Sequence, residues 1–185
     1  MNSIERAKLI NKAAGLGLKY EKQYRGCAQC TLAAVMDTLD ISDPMIFRAG
    51  SGLASGGGLL CTGACGGYTG GTMIMSALFG RRRENFDNDR DYKYTSFRIT
   101  RDLNDKFIEE YNTAVCGEIH EKIFGRTYNL LSDQDKTDFE KDGAHDDKCT
   151  EVVSKAAAWT VEVILNEMEK RDLELKDLKM LMAGG

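Results

Sequence analysis

A chain of 185 residues is long enough for one domain with a sizeable core and too short to make two comfortably. Apolar residues at 42% and charged residues at 29% are ordinary globular usage and argue against wholesale disorder. A formal net charge of −4 gives no electrostatic footprint for nucleic acid, and no run of apolar residues is long enough to span a membrane.

The N-terminal stretch MNSIERAKLINKAAG carries charges throughout and lacks the apolar core of a secretory signal, so the expected setting is cytoplasmic. A single proline and few alternating runs leave helical periodicity as the dominant signal. The expected fold is mainly α: one single-domain helical bundle over residues 1–185, with a Gly-rich, cysteine-bearing loop leading into a buried central helix. The spacing predicts a first helix from Ile4 to Gln23, with Leu9, Ile10 and Ala13 on one face and Gly15 and Gly17 weakening its middle. Gly26 breaks the chain before a second helix from Cys27 to about Leu39, whose Leu32, Val35, Met36 and Leu39 follow helical spacing. Ser42-Asp43-Pro44 starts a third, which should decay over Gly50 to Gly58.

Tyr68 to Phe79 is apolar or small on every side and reads as a helix buried all round. Arg81 to Arg90 is a polar connection, and Arg81-Arg82-Arg83 reads as a helix C-terminal cap that suits the dipole. A long amphipathic helix then runs to about Tyr111, built on Phe97, Leu103, Phe107 and Ile108. Cys116 begins a shorter helix with Ile119, Ile123 and Phe124, and Ser132 to Lys141 reads as a surface helix. Cys149 opens the last long helix, to about Lys170, with Val152, Val153, Ala156, Val163 and Ile164 inward. Residues 171–185 form a short added helix or a frayed tail.

Six cysteines in a reducing compartment are poor material for a static disulfide framework, which favours metal binding or redox chemistry. Cys27, Cys65, Cys116 and Cys149 each fall at the predicted first turn of a helix, where unpaired N–H groups and the positive dipole end favour a thiolate. Apolar residues three and four positions after Cys116 and Cys149 share the thiols' helical face, so these thiols should point inward. Four inward thiolates that converge are the ligand set of an iron–sulfur cluster or a structural zinc; four core cysteines with no ligand is the competing reading. Cys27 and Cys30 form a CxxC, and Cys61 precedes Cys65 by four residues. Thr31 stands where c-type haem attachment needs histidine, so no covalent haem is expected.

The elements GCAQC (Gly26 to Cys30) and CGGYTG (Cys65 to Gly70), followed by Cys116 and Cys149, resemble the C-GCAxxG-C-C family of redox-active proteins over roughly residues 11 to 165. Its pattern falls here on Cys27, on Cys65 with Gly66 and Gly70, and on Cys116 and Cys149. Gly67 stands where the family has alanine, a small-for-small change that removes no ligand. Cys30 and Cys61 are additions to the four-cysteine set, with possible redox roles of their own. Through a related cysteine domain in split-Soret cytochromes, the resemblance implies a two-iron cluster; it implies no substrate.

The stretch GGGLLCTGACGGYTGG, residues 56–71, is read against that site. Gly56 to Gly58 and Gly63 give a flexible approach to Cys65, while Gly66, Gly67, Gly70 and Gly71 remove side chains so that backbone N–H groups can approach a cofactor. A tight helix crossing is the alternative. No phosphate-binding glycine motif is present. His120, four after Cys116, and His145, four before Cys149, can each share a helical face with a thiol and replace a cysteine ligand. Trp159, Met73 and Met75 read as core, and the acidic run from Asp133 to Asp147 as a solvated face.

Three functions compete. The first is a [2Fe–2S] protein in electron transfer or redox sensing, held by Cys27, Cys65, Cys116 and Cys149 and serving a redox partner protein. The second is a metal-free thiol/disulfide oxidoreductase using Cys27/Cys30 or Cys61/Cys65. The third is a zinc-stabilised binding module. The helix of small residues packs either within the chain or across a homodimer.

Overall fold

The structure, a computed structural model, describes residues 1–183. Its helices are α1 (Ser3–Tyr24), α2 (Cys27–Leu39), α3 (Pro44–Ala49), α4 (Gly66–Phe79), α5 (Arg90–Tyr111), α6 (Cys116–Phe124), α7 (Asp133–Lys141), α8 (Cys149–Lys170) and α9 (Leu175–Ala183). A 3-10 segment, Gly50–Gly56, extends α3, and a π-helical turn, Ala144–Lys148, leads into α8. Extended pairing among the described residues is a single antiparallel bridge between Ala64 and Val115. The chain is therefore a mainly α, single-domain protein. The last residues of the expected tail, 184 and 185, lie outside the described residues.

Helix starts differ in how they are capped. Asn2 caps α1 reciprocally with Glu5, Asp43 caps α3 ahead of Pro44, and Ser132 caps α7. Such caps contribute about 1 kcal/mol each by satisfying N–H groups the helix cannot pair. The helices α2, α6 and α8, which start at cysteines, α4, which follows directly on Cys65, and α5 have no side-chain cap. The first N–H groups of α4 are turned to thiols, whereas those of Cys116 and Gly117 at the start of α6 donate to the Gly63 and Cys61 carbonyls and that of Cys149 donates to the Ala144 carbonyl.

The core forms where α1, α2, α4, α5 and α8 meet. No residue of α4 is exposed, and Ile74, Met75, Leu78 and Phe79 are buried at its far end. Its glycines sort by face. A Cβ at Gly70 would meet the Ala28 carbonyl of α2 at 2.5 Å, and one at Gly67 would meet Ala156 Cβ of α8 at 2.9 Å. Gly71 likewise lies against the side chains of Thr160 and Leu103, so α4 is gripped by the α2 backbone on one face and by side chains of α8 and α5 on another. Gly17, expected to weaken α1, does something similar: a Cβ there would sit 2.9 Å from the Val153 carbonyl of α8.

The buried stripe of α5 is Thr95, Ile99, Leu103, Phe107 and Tyr111, a strict four-residue repeat. Phe97 and Ile108, expected inward, fall off that stripe and are exposed. Arg81-Arg82-Arg83 lies past the end of α4, which closes instead with the Gly80 N–H donating to the Ser76 carbonyl. The guanidinium of Arg81 stacks on Phe86 at 3.9 Å.

Candidate metal centre

Cys27, Cys116 and Cys149 are the first residues of α2, α6 and α8, and Cys65 is the residue that precedes α4. One narrow, largely buried cavity is lined by all four, together with Glu21, His120 and His145. Its room for the centre of a water-sized guest is about 30 Å³, the space of roughly two such spheres. Cys30 and Cys61 lie outside this lining. All six cysteines are free thiols.

The 3-10 segment and the start of α4 supply N–H groups to sulfur. The Ser55 N–H donates to Cys27 Sγ at 3.4 Å and the Gly66 N–H also reaches Cys27, while those of Gly67 and Tyr68 serve Cys65. Gly66 makes this possible in a second way, because a Cβ on it would collide with Cys27 Sγ. Burial still outweighs these hydrogen bonds: it pushes Cys65 up to about 11, raises Cys27 further and lifts Cys149 well above the ordinary thiol value. The resting thiols therefore hold their protons, and a metal entering the cavity has to displace them.

A tighter group lies at one wall. Single ligand atoms of Cys61, Cys116 and His120 fall within 4.8 Å of one another, all buried. His120 Nδ1 is 4.0 Å from Cys61 Sγ, and its Nε2 is 3.7 Å from Cys116 Sγ and 3.9 Å from Cys149 Sγ. Metal–sulfur and metal–nitrogen bonds of about 2.3 and 2.1 Å around a tetrahedral ion put such atoms about 3.5 Å apart. His120 Nε2 thus lies near ligand spacing from Cys116 and from Cys149 taken separately, beyond the reach of strong hydrogen bonds, while the set that is mutually close is Cys61, Cys116 and His120. The Cys116 thiol donates to Cys61, which lowers the Cys61 pKa and raises that of Cys116.

Each residue singled out in the sequence has a definite place. Cys30 Sγ donates to the Arg25 carbonyl at 3.1 Å and also pairs with Glu21. Cys61 has Cys116 and His120 as its hydrogen-bonding partners, so its nearest chemistry is not with Cys65, four residues on. Gly66, Gly67 and Gly70 face α2 and α8 as packing contacts, with the N–H groups of Gly66 and Gly67 also turned to sulfur. His145 Nδ1 binds Glu140 at 2.9 Å, and its Nε2 lies 3.7 Å from Glu21.

Sequence reasoning missed Glu21. Its carboxyl is 4% exposed, one oxygen has no hydrogen-bond partner, and burial pushes its pKa up to about 7 against the hydrogen bond from Cys30 and the charge of Arg25. The signal was present: Ala13, Gly17 and Glu21, at four-residue spacing, are the buried stripe of α1.

An all-helical fold with free thiols gathered at helix starts, beside a Cys/His group able to hold a metal, defines a cysteine-rich redox-type protein. The chain belongs to the C_GCAxxG_C_C family, described as "Putative redox-active protein", whose model matches residues 26–163. No curated protein and no solved structure matches the chain.

Proposed function

We propose that the protein holds a compact iron–sulfur cluster, of the [2Fe–2S] type, in the thiol-lined cavity, with Cys27, Cys65, Cys116 and Cys149 as ligands, and that it works in electron transfer or redox sensing. The observation that carries this reading is that the four thiols border one buried space. The donor set fits: four soft sulfurs from four separate helices, with backbone N–H groups already turned to two of them, suit a thiolate-bound cluster whose charge needs dispersing. The small volume argues for a compact centre over a cubane. Such a cluster supplies reversible one-electron transfer to a redox partner. The chain's part is to exclude water, fix the sulfurs and yield their protons on loading. Free thiols throughout suit a cytoplasmic setting.

The Cys61, Cys116 and His120 group supports a second reading, a zinc ion that ties the start of α6 to the loop before α4. Anaerobic reconstitution of cysteine variants separates the two. On the cluster reading, Cys65→Ser and Cys149→Ser abolish stoichiometric iron, whereas Cys30→Ser leaves it nearly intact. Full iron occupancy in the Cys149→Ser protein, or a colourless chain with one zinc lost on His120→Ala, would reverse the preference. Loss of disulfide cycling in Cys30→Ser with no iron in any form would instead favour the metal-free thiol mechanism.

A further inference from the structure

A second, open cleft of about 370 Å³ lies against the thiol cavity. The two share Glu21, Ser55, Phe139 and His145, so a molecule seated in the cleft touches the wall of the cavity. Glu21 borders both, and its Oε2 is a buried acceptor with no hydrogen-bond partner among the described residues. Leaving a buried polar atom unpaired is unfavourable, and a donor brought by a ligand removes that cost. Leu59, Leu130 and Phe139 give the cleft an apolar wall, and Arg25 and Lys136, both about half-exposed and paired to the Glu140 and Asp133 carboxylates, bring cationic groups to its lining, where a ligand carboxylate would share them.

We propose that this cleft binds a small zwitterion with a short apolar body, of the α-amino acid class, its ammonium donating to Glu21 and its carboxylate accepting from Arg25 and Lys136. A buried acceptor, an apolar wall and more exposed cations match the three parts of such a molecule, and an acid or an amine alone satisfies only one end. The inference stands on the cleft and does not require a cluster next door.

Calorimetric titration of the purified chain with L-norvaline, butylamine and pentanoate tests it, with iron content recorded so that unloaded and loaded protein are compared. The expected result is one norvaline site per chain in both forms, with each single-charge analogue at least tenfold weaker. Glu21→Gln should weaken norvaline at least tenfold and leave pentanoate unchanged. Lys136→Ala, on an exposed side chain, should weaken norvaline and pentanoate but not butylamine, which keeps the test valid should Glu21→Gln fold poorly. No binding of norvaline, equal binding of all three probes, or norvaline affinity unchanged in both variants would overturn the proposal. Binding confined to loaded protein would place the ligand on the metal centre and overturn it too.

Discussion

Glu21 carries a consequence in solution that its neighbours do not share. Its folded pKa, near 7, lies above the ordinary carboxyl value of 4.5 because burial disfavours the charged form. Between those values the folded chain binds more protons than the unfolded one, so this group's contribution to stability falls as pH rises from about 4.5 to about 7 and is fully lost above it. The difference in pKa corresponds to roughly 3 kcal/mol. Denaturant unfolding of the apo protein from pH 4.5 to 8 should show this decline, and Glu21→Gln should flatten it; identical slopes in the two proteins would contradict the assignment. The four cysteines of the cavity were legible because each opens a helix, a feature that local sequence signals carry. Glu21 was harder to read: its place on the Ala13 and Gly17 stripe was visible, but a lone carboxylate there looks like a solvated residue until its neighbours in α2 and the π-helical turn are in place.

The helices themselves were read closely, with α2, α6 and α8 starting at the expected cysteines and α3 giving way to a 3-10 segment where glycines accumulate. What the periodicity misjudged was facing: Phe97 and Ile108 are large and apolar, yet the α5 stripe is set by a four-residue repeat that passes them by. Glycine roles were also hidden, since a glycine that fits a crossing and one that merely loosens a helix look the same in sequence. Two substitutions separate them. Gly70→Ala forces a Cβ to 2.5 Å from the Ala28 carbonyl, a backbone atom that cannot give way, and should destabilise by about 1–3 kcal/mol. Gly15→Ala meets nothing within 4 Å on the exposed side of α1 and should stabilise by about 0.5–1 kcal/mol. Thermal unfolding of the two variants measures both, and shifts of the same sign would refute the packing account of α4.

At the scale of the whole molecule, the packing of α4 between α2 and α8 is what puts Cys65 beside Cys27 and Cys149. The glycine faces let three helix starts close on one space, and the Ala64 to Val115 bridge draws in the start of α6 with Cys116. The bundle could be foreseen from periodicity, but the pairing of Cys61 with Cys116 and His120 could not, because it depends on how the loop before α4 folds back on α6. No described helix is long and apolar enough to cross a membrane. The central claim is that the space enclosed by this packing is built for a cluster. Its most direct test is the iron and acid-labile sulfide content of the wild-type chain after anaerobic reconstitution, taken with its visible absorbance. The account predicts a brown protein with about two irons and two sulfides per chain. A colourless chain that takes up one zinc, or no metal at all, would contradict it.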